Sequence, residues 1–476
     1  MNGYPPAHAA DLTRSESSAA RIDRRPDDRG LTVHHWVEQE RRRSHMIVRV
    51  VSLADLTGWR FDPDSGTISH HTGRFFSIDG LDVTIPDRAV PHWSQPIIHQ
   101  SEVGILGILV KRLDGSTYCL MQAKAEPGNR NGIQVSPTVQ ATRSNYSGVH
   151  GGKPVPYLAY FQAPGRQRVL ADVRQSEQGA WFYRKRNRNV VIEVDDDVEA
   201  QDGFRWLPVA QVHRLLRFDD LVNMDARTVL SCLPLGGPEL LGPVDGEQSD
   251  PFRSALARSY RPGTHARHTT GEILNWLTNV RARAEVTAAP VPLASLPDWH
   301  RTDDRISHRS GHFFDIVGVD VRAGNREVGG WQQPMLRAHG VGVSAFLVNR
   351  LDGVLHVLAH ARVEPGLVDV AELAPTVQYT PDNFPYLPRE AQPLFLDHVL
   401  DATPEQIRFD AVLSEEGGRF FDTRCRYLII ETDEPLGHPD YRWMTLHQFT
   451  ELLRHSYYVN VQARSLLACL NSLVQP

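Results

Sequence analysis

Lysine is scarce in this chain: of 51 basic side chains only Lys111, Lys124, Lys153 and Lys185 are ammonium groups, and the rest are arginine. Two of the four, Lys111 and Lys124, share one stretch with Glu102 and Tyr146. An amine, a carboxylate and a phenol are groups that take up, hold or deliver a proton once their surroundings adjust them. The polar run Thr142-Arg143-Ser144-Asn145-Tyr146 follows a Val-Gln strand end and clusters hydroxyl, guanidinium and amide donors. Such a cluster serves a polar small molecule, whereas an ordinary loop has no use for it. No P-loop, GxGxxG, HExxH or GxSxG stands in a credible context, so NTPase, dinucleotide oxidoreductase, zinc protease and serine hydrolase readings lack their working parts. The 22 histidines offer no pair at clean ligand spacing with a carboxylate, which leaves metal catalysis with weak support.

These residues are positioned by a chain that is written twice. Ile68-Ser69-His70, Gly73 and Phe75-Phe76 return as Ile306-Ser307-His308, Gly311 and Phe313-Phe314, and the same offset holds for about eighty positions. Arg112-Leu113-Asp114-Gly115 matches Arg350-Leu351-Asp352-Gly353, Glu126-Pro127-Gly128 matches Glu364-Pro365-Gly366, and Pro137-Thr138-Val139-Gln140 matches Pro375-Thr376-Val377-Gln378. Further on, Arg186, Arg188, Asn223, Ala226-Arg227 and Cys232 match Arg424, Arg426, Asn460, Ala463-Arg464 and Cys469. A period this long denotes a duplicated domain and not a solenoid. We expect a flexible tail over 1–30, a first repeat over 31–233, a Gly- and Pro-rich linker over 234–254 and a second repeat over 255–476. Within a repeat, strands are predicted over 69–78, 103–112, 117–126 and 190–194, with an Asp-Gly turn at 114–115. Helices are predicted over 209–216 and 226–233, and Gly271–Leu277 opens the second copy as a helix. Strands followed by helices make each repeat an α+β domain, a mixed sheet flanked by helices.

Composition bounds the partners. With 41% hydrophobic residues, 23% charged residues and no apolar run long enough for a bilayer, the chain is a globular protein without a membrane span. A formal charge of −6 gives no basic footprint for nucleic acid. Cys119, Cys232, Cys425 and Cys469 show no CxxC or finger spacing, and the N-terminus has no apolar secretory core, so a reducing cytoplasm is the expected location.

The segments FFSIDGLDV, WSQPIIHQSEVGILGILVKRLDG and SPTVQATRSNYSG, with FFDIVGVDV, WQQPMLRAHGVGVSAFLVNRLDG and APTVQYTPDNF, closely resemble the NDP-hexose 2,3-dehydratases of deoxysugar and antibiotic biosynthesis. The likeness covers nearly the whole chain after the tail. It implies two tandem Nudix-like domains, although the acidic helix that would hold magnesium for diphosphate hydrolysis is missing here. The resemblance also implies that dTDP-4-keto-6-deoxy-glucose loses water across C2 and C3 to give a 3,4-diketo-2,6-dideoxy sugar. It suggests a homodimer, and an NADPH-dependent 3-ketoreductase acting next. The C4 ketone already acidifies the C3 proton, so a base, a donor toward the C4 oxygen and an acid for the C2 hydroxyl suffice, without cofactor or metal. A non-catalytic nucleotide-sugar binding protein and a Nudix-type diphosphatase are the alternatives.

Roles follow from that chemistry. The first copy keeps Glu102, Lys111, Lys124 and Tyr146 where the second has Gly340, Asn349, Arg362 and Phe384. We expect both copies to bind nucleotide and the first to perform the elimination, with Lys111, Tyr146 and Glu102 as base, oxyanion donor and acid in an order left open. Trp59 and Trp299 precede the two copies at the same place and are suited either to stacking on thymine or sugar or to a core. Substrate contacts are expected from Thr142, Arg143, Ser144, Asn145 and Tyr146, and from Gln378, Tyr379, Thr380, Asn383 and Phe384 in the equivalent loop. Glu416-Gly417-Gly418-Arg419 sets two glycines beside a guanidinium, which admits a diphosphate or makes a plain turn, and Ser176 lies in its counterpart. Arg362, equivalent to Lys124, is a cation for the same anionic ligand.

Overall fold

The strand Gly104–Leu113 reads GILGILVKRL and is apolar through seven successive residues, as a strand covered on both faces must be. It pairs in parallel with Arg186–Glu193 and antiparallel with Ser116–Ala125, at the centre of a seven-stranded sheet. Gly342–Leu351 is central to a second seven-stranded sheet with the same strand order. The connecting turns take positive φ at both central residues, 51° and 76° at Asp114-Gly115 and 49° and 73° at Asp352-Gly353, the combination a two-residue hairpin requires. This computed structural model describes residues 31–146, 154–195, 197–234, 250–324 and 328–474. The expected tail and linker positions 235–249 lie outside them, and a helix starts at Pro251.

Two five-stranded sheets complete the α+β architecture, and each is shared between the repeats. Met46–Val51 from the first repeat pairs with Phe314–Ala323 of the second, and Thr287–Val291 from the second pairs with Ser77–Thr84 of the first. Glycine permits the exchange: a Cβ on Gly80 would stand 2.8 Å from the Val291 carbonyl oxygen, and one on Gly318 2.8 Å from that of Val51. The strand expected over 69–78 is two strands, Ile68–His70 and Ser77–Thr84. Gly73 and Phe75 between them take φ of 66° and 77°, which breaks the extended run.

The repeats share one hydrophobic core. At its centre the helices Met224–Ser231 and Val461–Asn471 are buried along their whole length, and are capped by Asn223 and Asn460. The repeated Glu-Pro-Gly turns lock into the partner repeat. Gly128 N–H donates to the Gly417 carbonyl at 2.7 Å, and Gly366 N–H to that of Gly179 at 2.8 Å. A Cβ on Gly128 would lie 1.7 Å from the Phe420 carbonyl oxygen. We therefore expect Gly128→Ala to cost about 3 kcal/mol of stability, because backbone must separate to admit the methyl. A denaturation midpoint equal to that of the parent protein would contradict this close packing.

Candidate active site

The floor of the site is a carboxylate on the Glu-Pro-Gly turn. Glu126 is 5% exposed, and its Oε1 accepts from Gln140 Nε2 at 2.6 Å. Asn223 Nδ2 reaches Ser136 Oγ at 2.9 Å, Gln140 Oε1 at 3.0 Å and Glu126 Oε2 at 3.4 Å. The Asn223 carbonyl oxygen meanwhile accepts from Ala226 N–H, so one amide both caps a helix and holds the floor.

The wall comes from the other repeat. The turn that docks on Gly128 brings Glu416 and Arg419 over Glu126. A side chain on Gly417 would run into Asn129 Oδ1 at 2.3 Å, so this glycine serves the close approach of the two repeats. Glu416 Oε1 accepts from Gly418 N–H at 2.9 Å, and Arg419 Nη1 donates to the Gly418 carbonyl at 2.8 Å. Glu416 Oε2, Arg419 Nε and Asn129 Oδ1 are buried yet have no hydrogen-bond partner. Orphaned polar atoms on both sides of the seam are what a polar ligand would satisfy.

Glu177, Lys185, Asp225, Lys124 and Glu102 complete the cluster. Burial pushes the Glu416 carboxyl up to about 7, reinforced by Glu126 and opposed by Arg419. Asp225 is held well above the usual carboxylate range by burial and by Glu177, Glu416 and Glu126. Glu177 is raised by burial against the pull of Arg464 and Lys185, and Asn187 Nδ2 donates to it at 2.7 Å. Lys185, 4% exposed, is pushed down to about 8 by burial against the opposing effect of Glu177. Its ammonium donates to the Glu102 carbonyl oxygen, while Lys124 Nζ donates to that of Gln140 at 2.7 Å. Carboxyls drawn toward neutrality beside an ammonium drawn toward neutrality form an acid–base set. Among the described residues no cluster of three or more metal-ligating side chains occurs.

The equivalent cluster of the second repeat keeps the frame and loses part of the charge. Gln378, Glu364 and Asn460 repeat the floor, with Gln378 Nε2 to Glu364 Oε1 at 3.2 Å and Asn460 Nδ2 to Gln378 Oε1 at 3.1 Å. In this second cluster Gln178 and Trp181, lent by the first repeat, and Thr423 and Gln462 stand where Glu416, Arg419, Lys185 and Asp225 stand in the first cluster. Gly340 replaces Glu102, and the carboxylate of Asp382 fills that space, 2.3 Å from where a Cβ would be.

A family model described as NDP-hexose 2,3-dehydratase matches residues 31–233 and again 270–470. The chain belongs to that family. It is 48% identical over 443 residues, 92% of this chain and 91% of the relative, to a dTDP-4-dehydro-6-deoxy-alpha-D-glucopyranose 2,3-dehydratase of Saccharopolyspora spinosa. Relatives of the same description from Amycolatopsis orientalis and Streptomyces violaceoruber are each 45% identical over 92% of this chain, and 90% and 96% of their own lengths are covered.

Within this dehydratase-family fold the expected site residues separate into groups. Glu102 is at the cluster, where its Oε2 accepts from Ser144 Oγ at 2.9 Å, and Thr142 Oγ1 lies 3.0 Å from Ser144 Oγ. Arg143 is exposed, and the side chains of Asn145 and Tyr146 lie outside the described residues. Lys111 is elsewhere. Seven strand steps of about 3.3 Å separate it from Gly104 beside Glu102, roughly 23 Å. Its ammonium sits 4.5 Å over the Trp206 ring, with Asp197 as its charge partner.

Trp59 and Trp299 are each 8% exposed in a separate hydrophobic cluster lined by both repeats, and their indole N–H groups donate to the Gln332 and Ser94 carbonyls of the opposite repeat. Arg362 and Gln378 both hold Glu364 in the second repeat. Tyr379 packs on Phe384, Thr380 precedes a short helical turn, and Asn383 Oδ1 accepts from Phe313 N–H. Ser176 Oγ donates to Glu372 at 2.6 Å.

Glu416 and Arg419 are legible in the sequence as binding residues, whereas Glu126, Glu177, Lys185, Asp225 and Asn223 stand in no motif that marks them as site residues. One signal was available: at Lys185/Thr423 and Asp225/Gln462 the two copies differ in charge, as they do at Glu102/Gly340.

Proposed function

We propose that the protein eliminates water across C2 and C3 of dTDP-4-dehydro-6-deoxy-α-D-glucopyranose, the substrate named for its relatives, at the first-repeat cluster. The observation that carries this reading is the meeting of Glu416 and Arg419 from one repeat with Glu126, Lys185 and Asp225 of the other, three carboxyls and two cations at one seam. Glu416, poised at about 7, removes the C3 proton, and the electron pair moves into an enolate on the C4 oxygen. Lys185 and Arg419 stabilise that developing charge. The enolate then collapses, the C2–oxygen bond breaks, and the departing hydroxyl leaves as water with a proton from Asp225 or Glu177, both held toward their acid forms. The resulting C2–C3 enol takes a proton at C2 to give the 3,4-diketo-2,6-dideoxy sugar. Glu102, expected among the acid–base residues, stays in the proposed set beside Lys185 and Arg419. Tyr146 and the rest of its loop remain candidates for the sugar.

Each repeat, over 31–233 and 255–476, is on this reading a Nudix-like scaffold without its hydrolytic helix, and the second binds nucleotide without chemistry. The diketo product is reactive, so a 3-ketoreductase using NADPH is its natural consumer. A homodimer in the cytoplasm is the expected working form. Among the described residues no helix is long and apolar enough to cross a membrane.

The test is incubation of metal-stripped protein with the ketosugar nucleotide, a 3-ketoreductase and NADPH. NADPH consumption with loss of the 2-hydroxyl is expected. Release of dTMP would instead indicate a diphosphatase, binding without turnover a sensor, and elimination only with added magnesium a different mechanism. In the same assay Lys111→Met is expected to keep kcat within about twofold, as a cation placed roughly 20 Å along the strand should. A hundredfold loss would return Lys111 to the chemistry.

A further inference from the structure

Arg227 and Arg464 are fully buried guanidinium groups, one on each of the two central helices, and both donate to backbone carbonyls and hydroxyls. All three donor positions of each are engaged. Arg227 Nη1 donates to the Val222 carbonyl at 2.8 Å on its own repeat, Nη2 to the Ser414 carbonyl at 2.8 Å on the other, and Nε to Ser465 Oγ at 3.2 Å. Arg464 mirrors it, with Nη1 to Val459 O at 2.5 Å, Nη2 to Ser176 O at 2.6 Å and Nε to Thr228 Oγ1 at 2.6 Å. Ser465 follows Arg464 in the chain and Thr228 follows Arg227, so each arginine grips the helix that carries the other.

The two carbonyls they hold are informative. Ser414 is the last residue of the strand Ile407–Ser414 and leads directly into Glu415-Glu416. Ser176 ends Arg168–Ser176 and leads into Glu177. Thus the residue just before each turn that delivers a carboxyl to the cluster is clamped by an arginine of the opposite repeat. Burying a guanidinium is expensive, and an apolar side chain of similar volume commonly serves stability as well or better. An arginine offers what such a side chain does not, a rigid planar fork that fixes three acceptors at once.

We propose that Arg227 and Arg464 form a reciprocal latch whose work is to position Glu416 and Glu177 against each other across the repeat seam. They are positioning residues: each acts through a backbone carbonyl, and neither is placed against the sugar. The inference rests on the first-repeat cluster being the site of elimination.

The test uses full-length Arg227→Lys, Arg464→Lys and Arg464→Met, assayed as kcat, KM and the pH profile of kcat/KM. Both lysine variants keep a charge but cannot hold three acceptors in a plane, so kcat is expected to fall about 100-fold with KM nearly unchanged, the scale of a misplacement near 1 Å. In Arg464→Met the cation that draws the Glu177 carboxyl downward is gone, while Glu415 still opposes its ionisation and Lys185 still favours it. The limb of the profile set by Glu177 then moves to higher pH, and Arg464→Lys returns it.

Val229→Ala, a cavity in the same buried helix, supplies the comparison, since it should lower Tm and leave that limb in place. If the arginine variants lose only Tm, with kcat and the limb unchanged, the latch is overturned. Should Arg464→Met not fold, the kcat-against-KM behaviour of the two lysine variants decides alone. Turnover unaffected by Glu416→Gln would mark failure of the site reading. An inactive Glu416→Gln beside fully active arginine variants would mark failure of the latch only.

Discussion

Glu416→Gln is expected to lower kcat about 10³-fold while changing KM little, the loss typical of removing a positioned general base. The substitution is nearly isosteric, and the amide oxygen can still accept from Gly418 N–H, the bond that orients Glu416 Oε1 at 2.9 Å. What disappears is the ionisable oxygen left without a partner over Glu126. The pH dependence gives a second readout. Glu416 must be ionised to take the C3 proton, so activity in the parent protein climbs as pH rises through about 7. Removing the carboxyl that titrates there should flatten that limb. The molecule already contains the comparison: Gln178 of the first repeat stands at this place in the equivalent cluster around Glu364, where Thr423 and Gln462 also replace Lys185 and Asp225. Gln178→Glu alone should therefore create no second centre. A Glu416→Gln variant retaining more than a tenth of parental kcat would remove Glu416 from the mechanism.

The duplication and its strands were legible because they are local in sequence. A hairpin such as 104–125 is recorded in an apolar run, an Asp-Gly turn and a second apolar run, and it folds as read. The exchange of Met46–Val51 for Thr287–Val291 was not legible. Each strand pairs at the same place whether it stays with its own repeat or crosses, so the sequence pattern is identical for both arrangements. The site inherits this blindness, since Glu416 lies hundreds of residues from Glu126 and meets it only through the docking of Gly417 on Gly128. Lys111 attracted attention as a lysine absent from the second copy. Its strand position turns it toward Trp206, with which it makes a cation–π contact. Lys185 carried the same signal, and only the fold distinguishes the two.

Lys185→Met is expected to separate activity from stability. Burial holds the Lys185 ammonium at about 8 in the folded protein, below the roughly 10.4 of an unfolded chain. The folded state therefore binds that proton less tightly than the unfolded state does. Stability is reduced by the full amount below about pH 8 and recovers as pH rises from there toward the unfolded value. Methionine removes the charge that causes this, at the cost of the hydrogen bond to the Glu102 carbonyl. Thermal stability at pH 7 should accordingly be equal or higher, whereas kcat should fall about 100-fold or more once the enolate oxygen loses a preorganised cation. Lysine is needed here as an ammonium, so parental activity declines as pH passes through about 8. Lys185→Arg keeps a charge that does not titrate in this range and should carry the declining limb to higher pH. Unchanged limbs in both variants, or a Lys185→Met protein that loses stability in proportion to activity, would reduce Lys185 to a structural strut and leave Arg419 to hold the enolate alone.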